Sequence, residues 1–428
     1  MSDALKIGIA GLGTVGAGVA KILRDHSEML TLRAGKPIVI TAVSARSRSK
    51  DRGVNLAAFE WFDDPVAMAK SDSIDVFVEL IGGEDGVAYA ATQAAIKAGK
   101  HVVTANKAML AMHGQPLALA AEDAGVNLRF EAAVAGGIPI IKTLTESLAG
   151  NKIERVMGVM NGTCNYILTR MESAGLPYED VFKEADALGY LEADPNLDVG
   201  GIDAAHKLVL LSSIAFGTQV DFAGAELEGI GQVTINDIHH ARDMGFRIKL
   251  LGLAQMTDAG LEQSMRPCLV PNSSPLAQLE GGTNMVVVEG DQVGQIVLRG
   301  AGAGEGPTAS AVLGDIMDIA RGLNIPVFGQ PANTLKAAKS AKPNGESAYC
   351  LRLNLQDTPG IMAKVSTALA DAGISIDRMR QFSHEDTSAP VMIVTHPTKR
   401  ATIEAAFDVI TDMGITTEPP LMLGIVEV

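Results

Sequence analysis

Residues 191–207 gather four carboxylates, Glu192, Asp194, Asp198 and Asp203, and one lysine, Lys207, directly before the almost wholly apolar run 208–216. Carboxylates can hold an ammonium group, and a lysine beside them can give or take a proton. A plainer reading stands next to that one. Asp203 in the first turn of a helix and Lys207 four residues on would form an i,i+4 pair worth about a few tenths of a kcal/mol. A second lysine closes Thr104-Ala-Asn-Lys107, just after a strand, at the edge where open α/β sheets bind ligands. A solvated lysine at a strand end fits that position equally well.

Gly11-Leu-Gly-Thr-Val-Gly16 is a GxGxxG run. Alone it is weak, but a strand at residues 6–10 precedes it and a helix at 17–24 follows, the context of a dinucleotide fingerprint. Gly11 permits the turn, Gly13 lets the backbone approach a pyrophosphate, and Gly16 allows close helix packing, with the helix N-terminus facing the phosphates. The second strand, 38–43, leads into Val43-Ser-Ala-Arg-Ser-Arg48, where an NAD-selective site would carry an acid. Arg46 suits a 2′-phosphate, which favours NADP, with NAD the alternative if Arg46 and Arg48 are solvated loop residues. Glu79-Leu-Ile-Gly-Gly83 ends a further strand with glycines against which a nicotinamide or ribose could lie. Met160-Asn-Gly-Thr-Cys-Asn-Tyr166 turns a strand into a helix and offers small polar groups; Cys164 has no local histidine to activate it and reads as a small buried hydrophobe. The loop 300–310, rich in glycine, would form a second nest of backbone amides.

The elements that must position these residues follow from the patterning. Strands at 6–10, 38–43, 74–80 and 101–104 alternate with helices, so an α/β, doubly wound parallel sheet is expected over 1–135, with 322–335 returning to it. Residues 136–321 read as a second, α+β domain, with strands at 152–159 and 284–289 and helices at 178–188 and 202–216. Residues 336–347 have the composition of a linker, and 348–428 form a β-α-β-β-α-β series. The 428 residues are 47% hydrophobic, enough for large cores, and a net charge of -15 argues against a nucleic-acid or anionic-membrane partner. Three widely spaced cysteines suggest neither a disulfide framework nor a zinc site. Residues 1–6 lack the features of a signal peptide, and no apolar run reaches membrane-spanning length, so a cytoplasmic protein is expected.

Taken in order, GLGTVG, ELIGG, TANK, EAAVAGGIPI, NGTCNYIL, LGYLEADP with Asp203 and Lys207, and GAGAGEGPTASAV resemble homoserine dehydrogenase over about residues 7–327. The C-terminal segment resembles a ferredoxin-like ACT domain, a small-molecule regulatory module, and the absence of a preceding aspartokinase segment suggests the monofunctional form. The resemblance implies a Rossmann domain, a catalytic and dimerisation domain, and reduction of L-aspartate 4-semialdehyde to L-homoserine in threonine, methionine and isoleucine biosynthesis. It places substrate on Glu192 and Asp203, with Asp198 a supporting acid. Lys207 becomes the proton donor or acceptor, and Lys107 the lysine near nicotinamide and substrate. Two ammonium groups in one cleft would lower each other's pKa. The cofactor pattern falls on Leu12, Thr14, Val15, Arg46, Lys107, Gly189 and Gly304, and a monovalent cation, sodium, on Glu131, Val134, Gly136 and Ile138. A homodimer or homotetramer is implied, with an amino-acid effector such as threonine at the ACT domain. Two alternatives stay open: a silent NADP- and amino-acid-sensing regulator, and a dehydrogenase of another amino acid such as L-aspartate.

Overall fold

Six short runs, the central four rich in Val, Ile and Ala, build a wholly parallel sheet: β1 (Leu5–Ala10), β2 (Ile38–Ser44), β3 (Glu60–Phe62), β4 (Val76–Glu79), β5 (His101–Thr104) and β6 (Leu128–Arg129). The structure, a computed structural model, describes residues 4–192, 194–382 and 388–427; the segment 1–6, read above for signal-peptide features, lies partly outside them. Strands covered on both faces need apolar residues throughout, and in β1 only Lys6 is exposed. The order β3-β2-β1-β4-β5-β6 reverses direction between β1 and β4, so a crevice opens at their carboxyl ends.

One face of this sheet, with Ile7, Ile9, Val76 and Val78, packs against Val19 and Leu23 of helix Thr14–Asp25 and against Val312, Leu313 and Ile316 of helix Glu305–Arg321. That second helix falls within the segment 136–321 expected of the second domain, yet it packs on the first sheet. The chain returns to the first sheet at Glu305, before 322, because the apolar stripe of this helix finds its complement there. Residues 327–335 then lie on helix Lys107–Asp123, whose Glu122 accepts from the amides of Val327 at 3.2 Å and Ala332 at 2.7 Å.

The second sheet is built on a long hairpin, Phe246–Thr257 with Gly260–Pro271, paired antiparallel along its whole length. Strands Ile153–Val159, Thr283–Gly290 and Gly294–Ala301 extend it on one side, and helices Ile202–Phe216 and Gly162–Ala174 pack against it. On the other side, Leu421–Ile425 pairs in parallel with the hairpin through Cys268 and Leu269. Leu421–Ile425, Tyr349–Gln356, Ser388–Thr395 and Ile376–Gln381 then form the ferredoxin-like sheet of the C-terminal module, with helices Ile361–Asp371 and Arg400–Asp412 around one core. The two sheets are therefore hydrogen-bonded into one.

Residues 336–347 are not a free linker. Gln219 N donates to Lys336 O at 2.8 Å, Leu261 N to Lys339 O at 2.8 Å and Ala341 N to Leu261 O at 2.9 Å. Backbone groups make these bonds, so composition did not reveal them. Among the described residues no helix is long and apolar enough to cross a membrane.

Candidate active site

At the end of β1 the chain turns through Gly11, φ +102°. A Cβ there would lie 2.3 Å from Leu80 O, and one at Gly16 would lie 2.1 Å from Gly11 O, so neither position accepts a side chain. Gly13, by contrast, has open space beside it and caps helix Thr14–Asp25 without any side-chain bond to the first-turn amides. An anion can reach those amides. Thr14 begins the helix, exposed, and Val15 faces the cleft described below. Beside the turn lies a cavity of about 720 Å³ whose wall includes Leu12, Gly13, Arg46, Lys50 and Arg52. Arg46 is exposed on that wall, whereas the Arg48 guanidinium lies 5.6 Å from the Trp61 ring centroid. Arg52, not singled out from sequence, donates to Leu12 O at 2.9 Å and Ser47 O at 2.6 Å, tying the glycine turn to the loop that bears Arg46.

A second cavity, about 660 Å³, opens where the carboxyl edge of the parallel sheet meets the mixed sheet. Lys107, Glu192, Asp198, Asp203 and Lys207 all line it, as do Gly189 and Gly304. The local sequence explains how each arrives there. Glu79, fully buried at the end of β4, accepts from Ile81 N at 2.7 Å, Gly82 N at 3.0 Å and Thr104 Oγ1 at 2.6 Å, which fixes the turn after the strand. Asn106 accepts from Met109 N at 3.1 Å and donates to Gly83 O at 2.7 Å, so it caps the helix in which Lys107 comes first. From the opposite wall, helix Ile202–Phe216 begins after Gly201, φ +81°, and carries Asp203 and Lys207 one turn apart. Asp194 caps the short helix Pro195–Val199, and Asp198 accepts from Glu192 N at 2.9 Å.

Asp203 joins the two walls. Lys207 Nζ lies 2.7 Å from Asp203 Oδ2 and Lys107 Nζ lies 2.9 Å from Oδ1. Lys207 also donates to Met160 O at 2.8 Å. The ordinary i,i+4 pair is thus present, but buried and shared with a lysine from the other sheet. Burial works against ionisation of Asp203, yet Lys207 and Lys107 overcome it and hold the carboxyl well below the usual range. For Lys107 burial likewise pulls downward, and Asp203 outweighs it, leaving the ammonium above its ordinary value. The expectation that a neighbouring lysine would depress Lys107 is corrected here: the carboxylate between the two dominates. Glu192 is raised, first by burial. His206, which the sequence reading passed over, packs at a tilt against Phe222, ring centroids 4.6 Å apart, and is pushed down to about 4 by burial. Cys164 is buried, its thiol raised by burial and donating to Asp198 O at 3.2 Å, consistent with a packing role.

Glu131, Val134, Gly136 and Ile138 share one buried loop after β6, in which Ala135 (φ +54°) and Gly136 (φ +47°) are successively left-handed. Glu131 accepts from Ile141 N at 2.9 Å and Lys142 N at 2.8 Å, and burial, then Asp315, push it up to about 8.

A glycine turn open to phosphate beside one cavity and buried lysines paired with a carboxylate in the next are what dehydrogenating an alcohol asks of a protein, and the class is that of nicotinamide-dependent oxidoreductases. Comparison narrows it. Residues 11–131 match the family model of the homoserine dehydrogenase NAD-binding domain, 139–317 that of homoserine dehydrogenase and 351–413 that of the ACT domain. The chain is 42% identical to homoserine dehydrogenase of Neisseria gonorrhoeae, covering 98% of both chains. It is 40% identical, with a TM-score of 0.93 and 99% of both chains covered, to a solved homoserine dehydrogenase from Thiobacillus denitrificans. A hyperthermophilic archaeal homoserine dehydrogenase solved in complex with NADPH is 26% identical, with a TM-score of 0.65, covering 75% of this chain and 99% of that one. The chain belongs to the homoserine dehydrogenase family and is an NAD(P)-dependent oxidoreductase with an ACT domain.

Proposed function

We propose that the chain reversibly interconverts L-homoserine and L-aspartate 4-semialdehyde, preferring NADP, at the step that serves threonine, methionine and isoleucine biosynthesis. The observation that carries this reading is one buried carboxylate, Asp203, that holds two lysines from opposite walls of the cleft. A bound nicotinamide dinucleotide supplies the hydride exchange at the substrate carbon. The Gly11–Gly16 turn would hold its pyrophosphate, Arg46 its 2′-phosphate, and Leu12, Thr14, Val15, Lys107, Gly189 and Gly304 would line its path. An ammonium group has three N–H bonds, and among the described residues Lys207 commits two, to Asp203 and Met160. The third is left for the substrate oxygen, where Lys207 gives the proton to the aldehyde or takes it from the alcohol. Lys107, kept charged, orients the same substrate, and Glu192, Asp198 and Asp203 meet its α-ammonium. Lys207→Ala is expected to abolish homoserine-dependent NADPH formation while NADPH still binds by fluorescence titration. Turnover persisting in the variant would sink the assignment.

The same reading includes a sodium ion at Glu131, Val134, Gly136 and Ile138. The residues fit it: a buried carboxyl raised to about 8, beside Asp315 raised by burial to about 6, is a place where a cation would restore ionisation. Both Glu131 oxygens already accept amides, so the loop carbonyls would supply most of the ligands. Turnover in sodium against a bulky organic cation tests this. We read domains at about 1–135, 136–321 and 348–428, the first including the returning segment. The assembly is a homodimer or homotetramer, and the ACT domain takes an amino acid such as threonine; light scattering and inhibition by added threonine decide these.

A further inference from the structure

We propose that Asn161 is a positioning residue: its side-chain amide holds Asp198 and Asp203 in the arrangement that Lys107 and Lys207 require. This rests on the proton-transfer reading above. Asn161 follows strand Ile153–Val159, is 3% exposed and lines the cleft. Its Oδ1 accepts from Cys164 N at 2.7 Å, capping helix Gly162–Ala174. Its Nδ2 donates to Asp198 Oδ1 at 3.2 Å and to Asp203 Oδ2 at 3.3 Å. Only one orientation of the amide works. A flipped group would turn its carbonyl on two carboxylates and its NH2 on a helix N–H.

The chemistry explains why an amide stands here. Two carboxylates close enough to share one donor repel each other, and an unbridged pair would drift apart or take up a proton. A lysine or arginine could bridge them, but it would cancel the negative charge that the substrate ammonium needs. A serine has one O–H for two acceptors. An amide NH2 gives one N–H to each anion and leaves both charged. The oxygen that Asn161 reaches on Asp203 is the one that Lys207 also reaches, at 2.7 Å, so the amide and the proton-carrying ammonium share an anchor. Asp198 is held on its far side by Glu192 N at 2.9 Å, so Asn161 extends the chain of bonds from Glu192 to Lys207.

The helix-cap role and the positioning role separate in one substitution. Asn161→Asp keeps the cap, since aspartate serves there as well as asparagine, but exchanges both donors for a third negative charge. The groups facing Lys207 are Asp203, Lys107, Glu192, Asp198, His206 and Cys164, and an added anion among them favours the ammonium form. In purified full-length enzyme we expect the kcat for homoserine oxidation to fall about tenfold or more and its rise with pH to shift upward, with cofactor affinity unchanged. Asn161→Ser, which keeps a cap and a single O–H, is expected to raise the KM for homoserine and lower kcat less, with the pH profile of the native enzyme. Native kcat and pH profile in Asn161→Asp would overturn the proposal. If that variant does not fold, Asn161→Ser with native kcat and KM would overturn it equally. Lys207→Ala, assayed alongside, separates the two levels: turnover surviving there removes the proton-transfer reading itself, whereas its loss beside an unaffected Asn161→Asp removes the positioning role alone.

Discussion

Asp203→Asn changes almost nothing but charge, and the structure says what that charge does. The Asp203 side chain is 10% exposed and sits between ammonium groups at 2.7 and 2.9 Å whose side chains are 11% and 29% exposed. Removing one member of a buried ion pair costs about 3–5 kcal/mol, because the charge left behind is buried without a partner. For a domain of about 150–250 residues each kcal/mol moves the midpoint by about 2–4 °C, so melting followed by circular dichroism should fall by about 6 to about 20 °C at neutral pH. The pH dependence has a definite sign. The depressed Asp203 carboxyl contributes stability above the unfolded value of about 3.9, lost only as pH falls through its lower folded value. The raised Lys107 contributes below about 10.4 and loses its contribution as pH climbs through its higher folded value. The difference between native protein and variant should therefore be flat between about pH 5 and about pH 9 and narrow outside that window. Homoserine turnover should fall at least about a hundredfold with it. A midpoint within about 2 °C of the native one, or a gap that widens steadily from pH 5 to pH 9, would refute the account.

Two other substitutions probe different parts of the molecule. Arg46→Asp should weaken use of NADPH more than of NADH, since only the former carries the 2′-phosphate, and equal losses in kcat/KM would mean that Arg46 does not read it. Arg352, on the first strand of the C-terminal module, lies 3.3 Å from the fully buried Asp237 of helix Ile235–Asp243. Arg352→Met should cost about 3 kcal/mol and let the module melt separately in calorimetry, whereas one unchanged transition would show that the pair does not couple the two parts.

Much of this was legible in advance, for reasons that are local. The glycine turn is a steric necessity at Gly11 and Gly16, and apolar strands flanking it can be read directly. The lysines and acids of the cleft stood out because charge next to an apolar helix needs an explanation. Asn161 did not stand out, because its meaning depends on Asp198 and Asp203, 37 and 42 residues away. The hairpin from Phe246 to Pro271 was missed although Phe246-Arg-Ile-Lys-Leu250 alternates as a strand does; Lys249, which alternation would leave in solvent, is buried, held by Asn165 Oδ1 at 2.8 Å and by the Leu279 carbonyl. The raised Lys107 could not be inferred either, since spacing along the chain does not say that one carboxylate stands between two lysines.

The strand Leu421–Ile425 covers what would otherwise be a bare margin. It shields Cys268 and Leu269 on the outer strand of the Phe246–Pro271 hairpin, and Val426 N adds a bond to Leu269 O at 2.9 Å. Cutting the chain ahead of Tyr349 would strip away this cover and leave an apolar strand with open donors and acceptors, a template for self-association. A shortened enzyme that precipitates, or that loses activity, would then say nothing about what the C-terminal module senses. Questions about regulation in this chain are better put through single side chains such as Arg352, which leave the seam closed.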